Sequence, residues 1–429
     1  MAKSTINVDH VARVEGHGDI RVVIADGKVE SVQMRVVEPA RLFESMVRGR
    51  SYREVSYVAS RICGICSATH VVTDLKAVED AFGVEVSERT KDLRELMVYG
   101  SYIQNHATHL FVFAAPDFIG QESVFPLAET NRALFDQALG LKALGNELST
   151  KIGGRPVHPI TAVVGGFTSE IPADEYLRLA DKLEEAIPFA LQTVDLFRSF
   201  RVQPLATEGD MLAMVADDHY AVERANAARF LKAGEDFAAA RYEDFLEEYL
   251  VDHSSAKFAR VRSTGTPYMT GALARVNASW DKLCPQAKVA AAKAGLRPPE
   301  LNPMMNNLAQ AVEIVDALER CAQLCRKLAE TADEDTSKPV EFDVRAGRGV
   351  GFTEAPRGAA FHDLEFDDEG NVVHASILTP TAQNVANLEG DMLQLANLLV
   401  DEGAPEDVVK LEVEKLVRAY DPCLSCSVH

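Results

Sequence analysis

The sequence predicts an α+β fold, mainly α: a large helical bundle core with β-hairpins near both chain ends. Three observations carry that expectation. Residues 174–200 and 306–333 repeat apolar side chains at three- and four-residue intervals, the period of an amphipathic helix. "GDIRVVIADGKVESVQMRVV" alternates apolar and polar residues on either side of Asp26-Gly27, a strong hairpin signal. "AAFHDLEFDDEGNVVHASIL" repeats that alternation late in the chain, around "DDEGN".

Taken in order, the first hairpin is followed by mostly helical patterning. "HLFVFAAP" is too short to span a membrane and reads as buried helix. Glycine and proline collect at residues 152–166 and 344–358, which read as ordered loops around a site. "NVANLEGDMLQLANLLVDEG" and "PEDVVKLEVEKLVRAY" are two further amphipathic helices, the second running directly into "DPCLSCSVH". There is no internal repeat and no low-complexity linker. The 429 residues therefore read as one large unit, although length alone would allow two or three domains.

Hydrophobic content of 47% and charged content of 25% are ordinary for a chain with a sizeable core. A net charge of −21 disfavours nucleic acid and anionic membrane surfaces, whose phosphates it repels. The N-terminal stretch has no apolar run resembling a signal peptide, and no segment approaches the roughly 20 apolar residues of a membrane span. Seven cysteines make no disulfide scaffold, and this usage suits a reducing, cytoplasmic compartment.

Four of the cysteines form two Cys-x-x-Cys pairs, Cys63/Cys66 in "RICGICSATH" and Cys423/Cys426 in "DPCLSCSVH", separated by most of the chain. Four readings stay open from spacing alone. A disulfide within each pair suits a reducing compartment poorly. A thioredoxin-like dithiol leaves one pair unexplained. Structural zinc would use all four thiolates, though zinc ribbons space their pairs about 15–20 residues apart. A thiolate-rich redox centre of nickel or iron is the fourth. Three neighbours bear on the choice. His70 follows Cys66 by four residues, so a helix would return it over the sulfur; Arg357 sits in "TEAPRG", where a rigid guanidinium could face a metal ligand. Glu15, in "VARVEGHG", is either a proton-relay carboxylate or the ion-pair partner of Arg13.

Together "RVEGHG", "RICGICSATH", "NHATHLFVFAAPDF", "GGRPVHP", "GALARVN", "TEAPRG", "TPTAQN" and "DPCLSCSVH", in that order, resemble the large subunit of nickel–iron hydrogenases over nearly the whole chain. The resemblance implies that segments of about 1–75 and 340–429 converge on a buried nickel–iron centre whose iron carries two cyanides and one carbon monoxide. Cys63 and Cys423 would bind nickel alone, and Cys66 and Cys426 would bridge nickel to iron. Glu15 would exchange protons with Cys423. Arg357 would stand over the metals, held by Asp421, with Pro356 and Thr381 lining the iron's diatomic ligands. His70 would donate to Cys66. Glu44, the carbonyl of Ile377 and His429 would hold a separate magnesium or iron ion. A maturation endopeptidase would cut the precursor just beyond His429.

The implied activity is reversible heterolytic cleavage of H2 to protons and electrons. The three remaining cysteines are too few for an iron–sulfur cluster, and no dinucleotide fingerprint is present. An iron–sulfur small subunit is therefore expected, with flavin and iron–sulfur electron-transfer subunits leading to NAD(P). Coupling to heterodisulfide reductase, ferredoxin or viologen-type acceptors is the alternative, and a hydrogen-sensing regulatory protein a further one. One position departs from the pattern: Asn105 stands where membrane-linked and periplasmic relatives often carry aspartate, which marks a cytoplasmic subgroup.

Overall fold

The computed structural model describes residues 3–331 and 336–428. Its main helices are α1 (Ser67–Phe82), α2 (Glu88–Thr108), α3 (Arg132–Gly153), α4 (Ala173–Ser199), α5 (Ala272–Ser279), α6 (Asn306–Glu330), α7 (Pro380–Asp401) and α8 (Glu406–Ala419). The pairs α2/α3 and α4/α6 pack along one another and α6 also lies against α2, so the centre is a helical bundle. Ser87 accepts a hydrogen bond from Thr90 N at the start of α2, satisfying one of the orphan amides there. Gly83 ends α1 in the left-handed conformation.

Strands β1 (Lys3–Val8), β2 (Gly18–Ala25) and β3 (Lys28–Val36) form an antiparallel meander. Asp26 (φ 53°) and Gly27 (φ 79°) are both left-handed, as a two-residue primed turn requires. Ile6, Val22 and Val32 stand opposite one another and are buried. Near the other end, β4 (Gly347–Ala355), β5 (Gly358–Phe366) and β6 (Val372–Leu378) form a second meander.

The 344–358 stretch is thus largely strand rather than loop. Its glycines serve close packing: α1 lies on β4, and a Cβ on Gly347, Gly349 or Gly351 would fall 2.6, 2.1 or 1.8 Å from the carbonyl oxygens of Ala81, Ala77 and Thr73. Residues 152–166 stay mostly irregular beyond the end of α3, apart from two-residue strands at Ala162–Val163 and Gly166–Phe167. "HLFVFAAP" is helical, with a π-turn over His109–Ala114. The sequence did not anticipate a four-stranded sheet assembled from Asp210–Val215, Ala227–Phe230, Glu235–Phe237 and Tyr268–Met269, which buries a separate small apolar cluster. No helix among the described residues is long and apolar enough to cross a membrane.

Candidate metal centre

Cys63 lies between a 3₁₀ turn (Ser60–Ile62) and α1, and Cys66 caps the N-terminus of α1. His158 secures this turn: its amide donates to Ser67 Oγ and its Nδ1 lies 2.9 Å from the Ser60 carbonyl. Cys423 and Cys426 follow α8, on a segment anchored to the N-terminal region. Leu424 N donates to the Glu15 carbonyl, and Arg41 donates to the carbonyls of both Ile62 and Ser425. One guanidinium thus ties the two Cys-x-x-Cys segments together.

The result is one thiol cluster built from both chain ends. The sulfurs of Cys63, Cys66 and Cys426 lie within 4.8 Å of one another, and Cys423 Sγ is 3.5 Å from Cys63 Sγ. All four residues are at most 3% exposed. Hydrogen bonds from Cys423, Cys426 and Cys66 hold the Cys63 thiol well below its ordinary range, whereas burial pushes Cys423 and Cys426 well above theirs. A bound cation would favour the ionised form of every sulfur in the cluster.

Arg357 occupies a two-residue turn with the buried Pro356, between β4 and β5. Its Nε donates to the Asp421 carbonyl (2.8 Å) and to Asp421 Oδ1 (3.1 Å). Its Nη1 and Nη2 are buried with no hydrogen-bond partner. Two orphan donors of a charged group beside buried sulfurs are costly unless acceptor atoms come to meet them. A soft-metal centre that brings its own acceptors fits both the thiol set and these donors.

Asp421 Oδ2 also accepts from Asn105 Nδ2 (2.8 Å) and Gln310 Nε2 (2.9 Å). Burial pushes the Asp421 carboxyl up, but Arg357, His109 and the Asn105 bond more than offset it and hold it below its usual range. Asn105 is therefore bonded to Asp421, which pairs with Arg357, and does not pair with the guanidinium itself.

Glu15 is half-buried and does not pair with Arg13, which binds Asp117 instead. Glu15 Oε2 accepts from Cys423 Sγ at 3.0 Å and from Ser425 N at 3.2 Å, and Ser425 Oγ donates to Oε1 at 2.5 Å. Thr381 Oγ1 accepts from Cys423 N at 3.0 Å. His70 lies one turn after Cys66, and its amide donates to the Cys66 carbonyl. Its ring Nδ1 is 3.0 Å from His362 Nε2, and His362 Nδ1 is 2.5 Å from Asp74 Oδ1. Sequence reasoning missed this buried string, because β5 delivers His362 from far along the chain.

Two of the residues expected at the second ion site, Glu44 and Ile377, are neighbours. Glu44 Oε1 accepts from the Ile377 amide and from Lys257 Nζ, both at 3.0 Å, and Lys257 also reaches Glu248. His429 lies outside the described residues. Lys257 carried no signal in the sequence.

A family model described as nickel-dependent hydrogenase matches residues 41–135 and 262–429. The chain belongs to the nickel-dependent hydrogenase family. It is 37% identical to the alpha chain of sulfhydrogenase 1 from Pyrococcus furiosus, over 99% of this chain and 97% of that protein. It is 30% identical to the corresponding chain of the vhu F420-non-reducing hydrogenase from Methanococcus voltae, over 92% of this chain and 98% of that one. An NAD+-reducing [NiFe]-hydrogenase solved in the H2-reduced state shares the fold with a TM-score of 0.87 at 26% identity, over 99% of both chains. A [NiFeSe]-hydrogenase of Dm. baculatum shares the fold at 0.74. This hydrogenase large subunit is accordingly the catalytic chain of an oxidoreductase acting on H2, and the thiol cluster fits the nickel–iron centre of such subunits.

Proposed function

We propose that Cys63, Cys66, Cys423 and Cys426 together would hold a nickel–iron centre, Cys63 and Cys423 as ligands of nickel and Cys66 and Cys426 as ligands shared with an iron that would carry two cyanides and one carbon monoxide. The observation that carries this reading is the convergence of four buried thiols from opposite chain ends beside the unpartnered nitrogens of Arg357. When bound, the metal pair supplies the Lewis acidity that polarises H2 and accepts its electron pair.

The chain's own groups handle the proton. The Cys423 sulfur is the first base, and Glu15 Oε2, 3.0 Å away, is the second. Ser425 fixes that carboxylate through its amide and its hydroxyl, so transfer needs no rotation of Glu15. Arg357, anchored by Asp421, lends positive charge beside the sulfurs and lowers the cost of charge separation in a dry pocket. His70, whose ring Nδ1 lies against His362, would donate to Cys66 and tune its basicity, Thr381 and Pro356 would line the iron's diatomic ligands, and Glu44, Ile377 and His429 would bind magnesium or iron.

Electrons leave through a partner. The other three cysteines are buried packing residues: burial raises the thiols of Cys284 and Cys321, and that of Cys325 to about 12. An iron–sulfur small subunit therefore takes the electrons, with flavin and iron–sulfur subunits delivering them to NAD(P). Likeness to sulfhydrogenase alpha chains and an NAD+-reducing enzyme supports that acceptor. Likeness to F420-non-reducing hydrogenases supports the second reading, coupling to a heterodisulfide reductase or viologen-type acceptor. Four cysteines suited to a metal centre and three packed thiols, none joined in a disulfide, favour the cytoplasm. H2 uptake by the purified complex with NAD+, NADP+ and a viologen decides: H2-dependent NAD(P)H formation is expected, and turnover with the viologen alone would favour the second acceptor.

A further inference from the structure

Arg275, on α5 within "GALARVN", makes all five hydrogen bonds that a guanidinium can donate. Nε and Nη2 bind the two oxygens of Glu313 (2.7 and 2.8 Å), and Nη1 binds Glu354 Oε2 (3.0 Å). The other two bonds go to main-chain carbonyls, Ala355 O (2.9 Å) and Pro356 O (2.8 Å). Tyr102 OH, on α2, lies 3.1 Å from the carbonyls of both Glu354 and Ala355, and its ring stacks under the Arg275 guanidinium at 4.9 Å. These carbonyls belong to the three residues directly before Arg357.

We propose that Arg275 and Tyr102 are positioning residues for Arg357, clamping its backbone so that its two unpartnered nitrogens stay beside the thiol cluster. The proposal rests on the reading of that cluster as the nickel–iron centre. Arg357 needs such a clamp because only its Nε is held, by Asp421. Without a fixed backbone at residues 354–356, the turn between β4 and β5 could tilt and move the Nη atoms.

The clamp is itself braced. Glu313 also accepts from Tyr220 OH (2.6 Å) and lies 2.9 Å from His106 Nε2. His106 adjoins Asn105, which donates to Asp421. Helices α2 and α6 therefore support both grips on Arg357, Asp421 on the side chain and Arg275 on the backbone. Arg275, Glu313 and Glu354 are at most 2% exposed. A buried ionic network of this kind often contributes little stability beyond what apolar packing would give, and the contribution assigned to it under the proposal is a fixed geometry. Arginine suits the task because its fork is rigid and carries enough donors for two carboxylates and two carbonyls at once.

The test is a double-mutant cycle in the assembled complex, with Tyr102→Phe and Arg275→Lys each made alone and with Arg357→Lys. Tyr102→Phe keeps the ring and removes only the hydroxyl, so it serves if Arg275→Lys does not fold. Nickel and iron content should match the parent. The cyanide and carbonyl infrared bands should shift, and turnover should fall about tenfold to a hundredfold. In the Arg357→Lys background, adding Tyr102→Phe should change turnover less than about twofold, because the group being positioned is already gone. Equal fold-losses in both backgrounds, or unshifted bands with full turnover, overturn the clamp. A parent complex with no such bands overturns the nickel–iron reading itself, and the clamp with it.

Discussion

Replacing Glu15 by glutamine isolates the proton step. The carboxylate makes three hydrogen bonds: from Cys423 Sγ and Ser425 N to one oxygen, and from Ser425 Oγ to the other. A glutamine with its carbonyl oxygen toward Cys423 keeps the first two, and its amide can donate to a rotated Ser425 hydroxyl. The structural cost is then on the order of 1 kcal/mol, the difference between charged and neutral acceptors. What disappears is the second base. Loss of a positioned base costs about 10²–10⁴ in rate. H2 oxidation in Glu15→Gln should therefore fall by that factor with nickel content unchanged. Exchange between D2 and water should fall in parallel, while conversion of para- to ortho-hydrogen persists, since that needs only reversible cleavage beside Cys423. Unaltered exchange with water would remove Glu15 from the path.

Three further outcomes are expected. Cys423→Ser should abolish turnover and deplete nickel while the circular dichroism of the folded chain stays the same; normal H2 oxidation would contradict the assigned ligand. Gly351→Ala would drive a Cβ to 1.8 Å from the Thr73 carbonyl, so α1 must lift from β4; a loss of about 1–3 kcal/mol in stability should accompany weakened nickel retention, read by calorimetry and metal analysis. Asp391, buried beneath the Tyr420 hydroxyl, has its carboxyl pushed up to about 6 by burial. Its folded value exceeds its unfolded one, so ionising it destabilises the fold progressively as pH rises from about 4 to 6, by about 2–3 kcal/mol. Asp391→Asn should gain melting temperature relative to the parent over that interval; a difference independent of pH would show that Asp391 does not titrate there.

What the sequence disclosed depended on the range over which each signal acts. Asp26-Gly27 dictates its hairpin locally, and the helical periods of residues 174–200 and 306–333 correspond to Ala173–Ser199 and Asn306–Glu330. The four cysteines stood out because paired thiols have few uses in a reducing compartment. Other features depend on groups distant in sequence. Gly347, Gly349 and Gly351 looked like loop residues, yet their purpose is the approach of α1, which no local pattern contains. Glu15 was legible as a relay candidate, but its neighbour Arg13 belongs to Asp117, on a helix about a hundred residues away. His70 was singled out for its spacing from Cys66, but its partners His362 and Asp74, like the partners of Arg275, come together only in the tertiary structure.

Infrared spectroscopy of the purified complex, in the carbon monoxide and cyanide stretching region and with metal analysis alongside, tests the central claim most directly. One strong carbonyl band and two weaker cyanide bands, with nickel and iron present together, are the predicted result. An empty region of the spectrum, with zinc filling the four thiolates, would contradict it.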